Sequence, residues 1–270
     1  MIDLEVAYIE RINLVITGFK GYLGSNLLLK LNAQEEIKKL SALTNKGIKN
    51  IIHLAAKVDT NISTISNNIQ LDMHVIEFCK TNSCNLIYAS SNNIYPYARN
   101  CKDNYEFHKS DYYGASKILT EQILKNVANV KYVSLRIGDV FGIDQKHGNF
   151  FKNIQSSITE EKDLSLFGQG LKVRNYIFID DLINVLIFLS TQDIITSKSF
   201  NIAYKEPVSI FQIICYINQS LKIPIQKISY DISKELTDFR TLDYTEIKDF
   251  NFTYDIWSAL DKYITTIKGQ

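Results

Sequence analysis

The chain has 270 residues, 46% of them hydrophobic, with a formal net charge of +1. That length supports one large or two modest domains around a sizeable core, and the balanced charge gives no footprint for nucleic acid or an anionic membrane. Cys79, Cys84, Cys101 and Cys215 form no Cys-x-x-Cys pair and no histidine cluster accompanies them, so we expect no metal site and four reduced thiols.

The first residues, Met1-Ile2-Asp3-Leu4-Glu5, carry acids and lack a basic and apolar leader pattern, which suggests a cytoplasmic protein. Apolar runs such as Val185–Leu189 are too short to span a bilayer. Ile12–Thr17 reads as a short buried parallel strand. The glycine-rich Gly18-Phe19-Lys20-Gly21-Tyr22-Leu23-Gly24 follows, and Ser25–Leu31 continues as helix. Strand, glycine turn and helix together form a context in which backbone amides at a helix N-terminus can meet a pyrophosphate. The spacing is G-x-x-G-x-x-G.

Lys39–Thr44 reads as a second strand and Asn50–Ala56 as a third, with a small Ala55-Ala56 end against which a cofactor could lie. His53, inside an apolar run, reads as a packed strand residue. Residues 66–80 read as a helix with Ile69, Met73, Ile76 and Phe78 near one face. Asn85–Ser91 is a strand ending in two hydroxyls. Next comes Asp111-Tyr112-Tyr113-Gly114-Ala115-Ser116-Lys117, opening a helix whose buried face runs through Ile118, Leu119, Ile123, Leu124 and Val127. Tyr113 and Lys117 are four apart and share a helix face. A free tyrosine titrates near pH 10, and a neighbouring cation lowers that value, so the pair could exchange a proton near neutral pH. Alone, the spacing is common in helices; its meaning comes from the phosphate loop before it and Ser91 at a strand end.

Val130–Ile137 is a further strand. Strands alternating with helices predict an α/β fold, a Rossmann-type doubly wound parallel sheet with ligands at the carboxyl ends of its strands. Residues 1–142 are assigned mainly to this dinucleotide-binding unit, with 174–204 returning to it, and 143–270 mainly to a smaller α/β substrate-binding region. In that region Gly148, Gly168 and Gly170 interrupt short apolar segments. Arg174–Asp181 reads as strand then helix start, with an aspartate placed to cap. Phe200–Ala203 is a strand, and Pro207–Phe211 opens a helix.

In this order the motifs resemble those of the extended short-chain dehydrogenase/reductases, specifically the nucleotide-sugar epimerase/dehydratase/reductase group. They are Thr17-Gly18-x-x-Gly21-x-x-Gly24, His53-Leu54-Ala55-Ala56, Ser90-Ser91-x-x-Ile94-Tyr95, Tyr113–Lys117, Leu135-Arg136 to Phe141-Gly142, Gly168-Gln169-Gly170, Arg174-x-Tyr176 to Asp180-Asp181, and Asn201-Ile202. The resemblance implies Tyr113 as general acid/base, Lys117 as its pKa modifier and ribose donor, and Ser91 as holder of the substrate oxygen. It implies NAD(P)(H) held by Gly18, Lys20, Gly21, Tyr22, Leu23, Gly24, Leu54, Ala55 and Ala56 together with Tyr113 and Lys117. Asn68 resembles an asparagine on the helix flanking the site. A nucleotide-diphosphate sugar would meet Asn93, Asp139, Arg174 and Arg240, the arginines taking phosphate oxygens; for Arg240 a surface ion pair is the equal alternative. A homodimer through the helices near 66–80 and 112–127 is also implied.

Two departures shape the expectation. Where dehydratases of the group carry a Thr-Asp-Glu run, this chain has Ser91-Asn92-Asn93, which lacks the acids of an elimination. The stretch from Gly24 to His53 is also short, with a strand–helix–strand unit missing or compressed on the adenosine side. Lys46, after Thr44, could meet a 2′-phosphate, which tilts the expectation slightly toward NADP. A thin adenosine side suits cofactor exchange, so the leading expectation is reduction of a 4-keto sugar with Tyr113 as acid. The alternatives are a 4-epimerase with tightly held NAD and a non-catalytic dinucleotide-binding or scaffold protein.

Overall fold

The computed structural model describes residues 4–32, 35–59, 61–103, 111–145, 150–160, 163–167, 169–193, 197–219, 228–231 and 239–269. The expected glycine positions 148 and 168 lie outside them. In chain order the first half comprises β1 (Glu5–Ile9), β2 (Leu14–Thr17), α1 (Tyr22–Leu31), β3 (Glu36–Lys39), β4 (Asn50–His53), α2 (Ser63–Asn82), β5 (Asn85–Ser91) and α3 (Tyr112–Asn126). The second comprises β6 (Tyr132–Ile137), β7 (Asp139–Phe141), α4 (Phe150–Thr159), β8 (Leu164–Phe167), β9 (Val173–Arg174), β10 (Tyr176–Phe178), α5 (Ile179–Thr191), β11 (Lys198–Ile202), β12 (Val208–Ser209), α6 (Ile210–Gln219), β13 (Ile228–Asp231), β14 (Phe239–Arg240) and α7 (Ile256–Lys268).

The central sheet has seven strands in the order β11-β6-β5-β4-β2-β1-β3. From β11 to β2 every neighbouring pair is parallel. These interior strands are apolar runs because both faces are covered. One face packs against α1, α5 and the C-terminal elements through Leu27, Ile16, Ile52, Ile87 and Leu186. The other packs against α2 and α3 through Val15, Ile51, Leu86, Val75 and Leu124. Smaller sheets, β10-β7, β12-β9-β14 and β13-β8, carry the second half of the chain.

The short stretch between Gly24 and His53 is resolved by an N-terminal strand. The slot beside the phosphate-loop strand β2 is filled by β1, which runs antiparallel to it, with Val6 opposite Thr17 and Ile9 opposite Leu14. β3 then pairs antiparallel with β1 at the sheet edge. The expected strand at Lys39–Thr44 is therefore displaced. The strand is Glu36–Lys39, and Leu40–Leu43 forms one 3-10 turn. Leu40 and Leu43, three apart, eclipse on such a turn and both enter the core beside Val6 and Tyr8. A period of three rather than two explains the change.

The buried stripe of α2 also differs from the expected one. It runs through Thr64, Asn68, Asp72, Val75, Ile76, Phe78 and Cys79, while Met73 is 41% exposed. On α3, Leu119 is exposed and Ser116, Lys117, Thr120 and Glu121 are buried with Leu124. Both helices turn polar side chains inward because those residues find partners there. On α5 neither expected aspartate caps the helix, whose N-cap Phe178 makes no side-chain bond. Asp181 instead accepts from Tyr204 Oη and from the amides of Thr253 and Tyr254, tying the C-terminal segment to the sheet.

Candidate active site

The phosphate loop leaves β2 at Gly18, whose φ of +67° is a conformation that favours glycine. A Cβ there would lie 2.6 Å from the Ala55 nitrogen and 2.8 Å from the Leu54 carbonyl carbon. The loop thus lies flush on the backbone that follows β4. At Gly24 a Cβ would sit 2.4 Å from the Gly18 oxygen, so glycine lets α1 start tight against the turn. Gly21 is the N-cap and brings no side chain to the first-turn amides. A bare helix N-terminus framed by backbone is suited to a pyrophosphate, and these residues fit a dinucleotide.

The other loop residues have separate tasks. Leu23 packs against the core. The Tyr22 hydroxyl is buried, without a hydrogen-bond partner among the described residues, near the place a Cβ on Gly142 would fill. Lys20 Nζ turns outward to Glu5 at 3.1 Å. Lys46 lies at the opposite edge of the sheet. Its neighbour Asn45 donates its amide to Asn82 Oδ1, at the end of α2, at 2.9 Å, and the amide of Lys49, just before β4, donates to the carbonyl of Asn13, just before β2. That edge holds the amino ends of the parallel strands, away from the phosphate loop, so Lys46 cannot meet a 2′-phosphate.

Ser91 ends β5 at the carboxyl edge, where its Oγ accepts from the Asn93 amide at 3.1 Å. Asp111 caps α3 by accepting from the Gly114 amide at 2.6 Å, which starts the helix one residue before Tyr113. Tyr113 shares a hydrogen bond with Ser91. Lys117 Nζ lies 5.6 Å from the Tyr113 ring centre and 4.4 Å from that of Tyr88. The three expected catalytic side chains therefore converge.

Their protonation departs from the sequence expectation. Burial pushes the Tyr113 phenol up, the charges of Asp72 and Asp111 push the same way, and the Ser91 hydrogen bond only partly opposes them. Burial lowers Lys117, against the charges of Asp72 and Glu121. The protein alone thus favours Tyr113 as a protonated phenol, because desolvation and two carboxylates outweigh the Ser91 hydrogen bond.

Beneath this group lies a network that sequence reasoning missed. Asp72, 1% exposed, accepts from Tyr88 Oη at 2.8 Å and Thr120 Oγ1 at 2.6 Å. Its other oxygen lies 2.7 Å from His53 Nε2. Burial opposes charge on Asp72, but Lys117 and the hydrogen bonds from His53 and Thr120 outweigh it and hold the carboxyl at about 2. An ionised Asp72 makes His53 Nε2 the donor, leaving Nδ1 to accept from Thr17 Oγ1 at 2.5 Å. Thr17 in turn accepts the Leu54 and Ala55 amides at 3.1 and 3.2 Å. One buried chain thus runs from the phosphate loop to the surroundings of Lys117. Asn68 adds a brace, accepting from the Lys57 amide at 2.8 Å and donating to Ser116 Oγ at 3.1 Å.

The expected substrate residues form a second arm. β9 and β14 place Arg174 and Arg240 side by side on paired strands. Both guanidiniums face the Tyr97 ring, at 6.0 and 4.9 Å, and that ring is 67% exposed. Arg240 Nη1 donates to Asn93 Oδ1 at 2.5 Å, and Asn93 Nδ2 donates to Asp111 Oδ2 at 3.0 Å. These bonds link Arg240 to the cap of α3 and hence to Tyr113. Arg174 Nε lies 3.9 Å from Asp139 Oδ2, and Asp139 Oδ1 accepts from Asn92 Nδ2 at 3.0 Å. Tyr97 carried no signal in sequence, since nothing marks an exposed loop tyrosine until both arginines are beside it. Among the described residues no three His, Cys, Asp or Glu gather to hold a metal.

A glycine turn and a Ser91/Tyr113/Lys117 group thus meet at the carboxyl edge of a Rossmann-type sheet. The sequence matches the model of the NAD dependent epimerase/dehydratase family over residues 37–203, and the chain belongs to that family. It is 24% identical to the ADP-L-glycero-D-manno-heptose-6-epimerase of Cupriavidus pinatubonensis, over 87% of this chain and 86% of that protein. Its fold superposes on MoeE5 in complex with UDP-glucose and NAD with a TM-score of 0.80 at 18% identity, covering 95% and 98% of the two chains. A UDP-glucuronic acid 4-epimerase variant from Bacillus cereus, bound to a fluorinated UDP-sugar and NAD, gives 0.78 at 22% identity, covering 95% and 98%.

Proposed function

We propose that the chain is an NAD-dependent epimerase of a nucleotide-diphosphate sugar, acting at one carbinol carbon, C4 in the leading version. The observation that carries this is the convergence of Ser91, Tyr113 and Lys117 beside a loop that admits a dinucleotide. The bound nicotinamide supplies the two-electron chemistry. Tyr113 takes the hydroxyl proton of the sugar as its carbon is oxidised and returns it when the other face is reduced. Ser91 holds that oxygen, and Lys117 places a positive charge beside the phenol. With an oxidised nicotinamide bound, a further positive charge would help Tyr113 to reach the phenolate form. Arg174 and Arg240, braced by Asn93 and Asp139, offer forks for the diphosphate. Asn92 and Asn93 supply no carboxyl for an elimination.

The expectation of a reductase rested on a thin adenosine side. β1 and β3 fill that side, which supports a retained cofactor and moves the balance to epimerisation. NAD also stands in the MoeE5 and Bacillus cereus complexes. NADP loses its sequence support with the position of Lys46. Reduction of a 4-keto sugar stays as the second reading, because a protonated Tyr113 is the proton-donating form.

The test is proton NMR of UDP-glucose, UDP-N-acetylglucosamine and UDP-glucuronic acid incubated with the protein and no added cofactor, beside absorbance at 340 nm with NAD(P)H and 4-keto-6-deoxy sugar nucleotides. Interconversion of 4-epimers is expected. Cofactor oxidation without epimerisation selects the reductase, and turnover in neither assay sinks both readings.

A further inference from the structure

The ligand edge holds a carboxylate that proton transfer at Tyr113 leaves unused. β5 and β6 are parallel neighbours, and Ser91 stands opposite Ile137 at their carboxyl ends. Two residues further on, Asp139 opens β7, its amide donating to the Asn175 carbonyl at 3.0 Å. Neighbouring strands lie about 4.8 Å apart, so Asp139 stands one strand away from Ser91. Asn92 spans the gap. It follows Ser91, is buried, and donates through Nδ2 to Asp139 Oδ1 at 3.0 Å.

The other carboxylates near Ser91, Tyr113 and Lys117 are committed elsewhere. Asp72 is buried among Tyr88, Thr120 and His53, and Glu121 is buried against Arg136 and Ser134. Asp111 accepts from the Gly114 amide through one oxygen and from Asn93 through the other. Asp139 is different. Its side chain is 35% exposed, and its Oδ2 meets Arg174 Nε only at 3.9 Å, looser than a hydrogen bond. An ionised carboxylate has about four acceptor positions, so Asp139 keeps capacity for a proton.

A ketone acidifies the C–H bonds beside it. Donors held on its oxygen stabilise the negative charge that builds when such a proton leaves, and the hydroxyls of Ser91 and Tyr113 are donors of that kind. What the removal then needs is a positioned base. We propose that Asp139 is a second catalytic base, which takes the proton from a carbon next to the keto carbon of the nucleotide sugar. This rests on the reading that the keto oxygen lies at Ser91 and Tyr113. The C–H bond breaks and its proton goes to Asp139 Oδ2. Its electron pair forms the C=C bond of an enolate, and the displaced carbonyl pair moves to the oxygen. Return of a proton from Asp139 restores the ketone, so the cycle consumes nothing. The exposure of Asp139 lets that proton exchange with water. The site thus acts at two carbons, the carbinol carbon and its neighbour.

Proton NMR in heavy water tests it, with UDP-4-keto-6-deoxyglucose as the probe and added NAD, which cannot reduce a ketone. The signals of the protons on C3 and C5 report the two carbons beside the carbonyl. Wild type should erase one of them at least about 10²-fold faster than protein-free solution, the low end for a positioned base. Asp139→Asn keeps an oxygen for Asn92 and loses the base. At saturating probe it should exchange about 10²-fold more slowly than wild type, with probe affinity by isothermal titration within about threefold, and a melting curve checks its fold. Exchange by the saturated variant at the wild-type rate overturns the assignment, and weaker binding with that rate unchanged makes Asp139 a brace of Arg174 alone. Wild type that binds the probe but exchanges it no faster than free solution also overturns it; these outcomes leave the carbinol reading standing. Wild type that does not bind the probe overturns both.

Discussion

Asp72 is the residue on which the buried part of the site turns. It receives Tyr88, Thr120 and His53 and lies in the field of Lys117. Its folded pKa is depressed from an ordinary 3.8 to about 2. A depressed carboxyl stabilises the fold above its unfolded pKa, and that contribution is lost as pH falls through the folded value. Stability should therefore fall between about pH 4 and pH 2 in wild type, with a shallower slope in Asp72→Asn. At neutral pH the same substitution should cost about 2–4 kcal/mol, because it leaves buried donors and the Lys117 charge without their acceptor. Urea titrations across this pH range measure both, and equal slopes in the two proteins would contradict the role. The raised tyrosines work at the other end. Tyr113, Tyr88 and Tyr95 are all pushed up by burial first, so their contribution is intact below about pH 10 and lost on further alkalinisation.

At the scale of elements, β1 sets the architecture. Val6, Ala7, Tyr8 and Ile9 are all at most 4% exposed, and burying side chains such as Val6 and Ile9 contributes roughly 1.5–3 kcal/mol each. Against a total stability of about 5–15 kcal/mol, loss of this strand is decisive, because β3 then has no partner and β2 becomes an open edge. Removing the chain up to Ile9 should give an insoluble or unfolded protein by far-UV circular dichroism; a folded, dinucleotide-binding product would contradict this role. β1 also shows where sequence reading stops. β5 was legible at Asn85–Ser91 because an interior parallel strand is an apolar run closed by hydroxyls. Glu5–Ile9 has no such flank, and its direction is set by partners that come later in the chain. Lys39–Thr44 misled because its apolar residues serve a 3-10 turn. The Ser91, Tyr113 and Lys117 group was legible from motif order, whereas Asp72 was not. An acid within a helical stripe reads as solvent-facing until Tyr88, Thr120 and His53 arrive from three other elements.

For the whole molecule, the carboxyl edge of the parallel sheet collects the ends of β2, β4 and β5, and the small sheet β12-β9-β14 brings Arg174 beside Arg240, which is tied to that edge through Asn93 and Asp111. Large apolar side chains stay exposed around α2 and α3: Ile62 at 67%, Met73 at 41%, Tyr112 at 41% and Leu119 at 47%. Apolar exposure gathered on two packed helices supports a homodimer formed through them. Light scattering should give twice the 31.0 kDa chain mass, and Leu119→Glu should shift the protein to monomer; a monomeric wild type would sink the proposal.

In the proposed reaction Tyr113 moves the proton between protein and sugar. This step is tested most directly by comparing wild type and Tyr113→Phe in turnover of the same nucleotide sugar and in dinucleotide affinity. Tyr113→Phe should turn over about 10²–10⁴-fold more slowly, the usual contribution of a positioned acid/base, with affinity for NAD within about threefold of wild type, less than 1 kcal/mol. Turnover by Tyr113→Phe equal to that of wild type would contradict it.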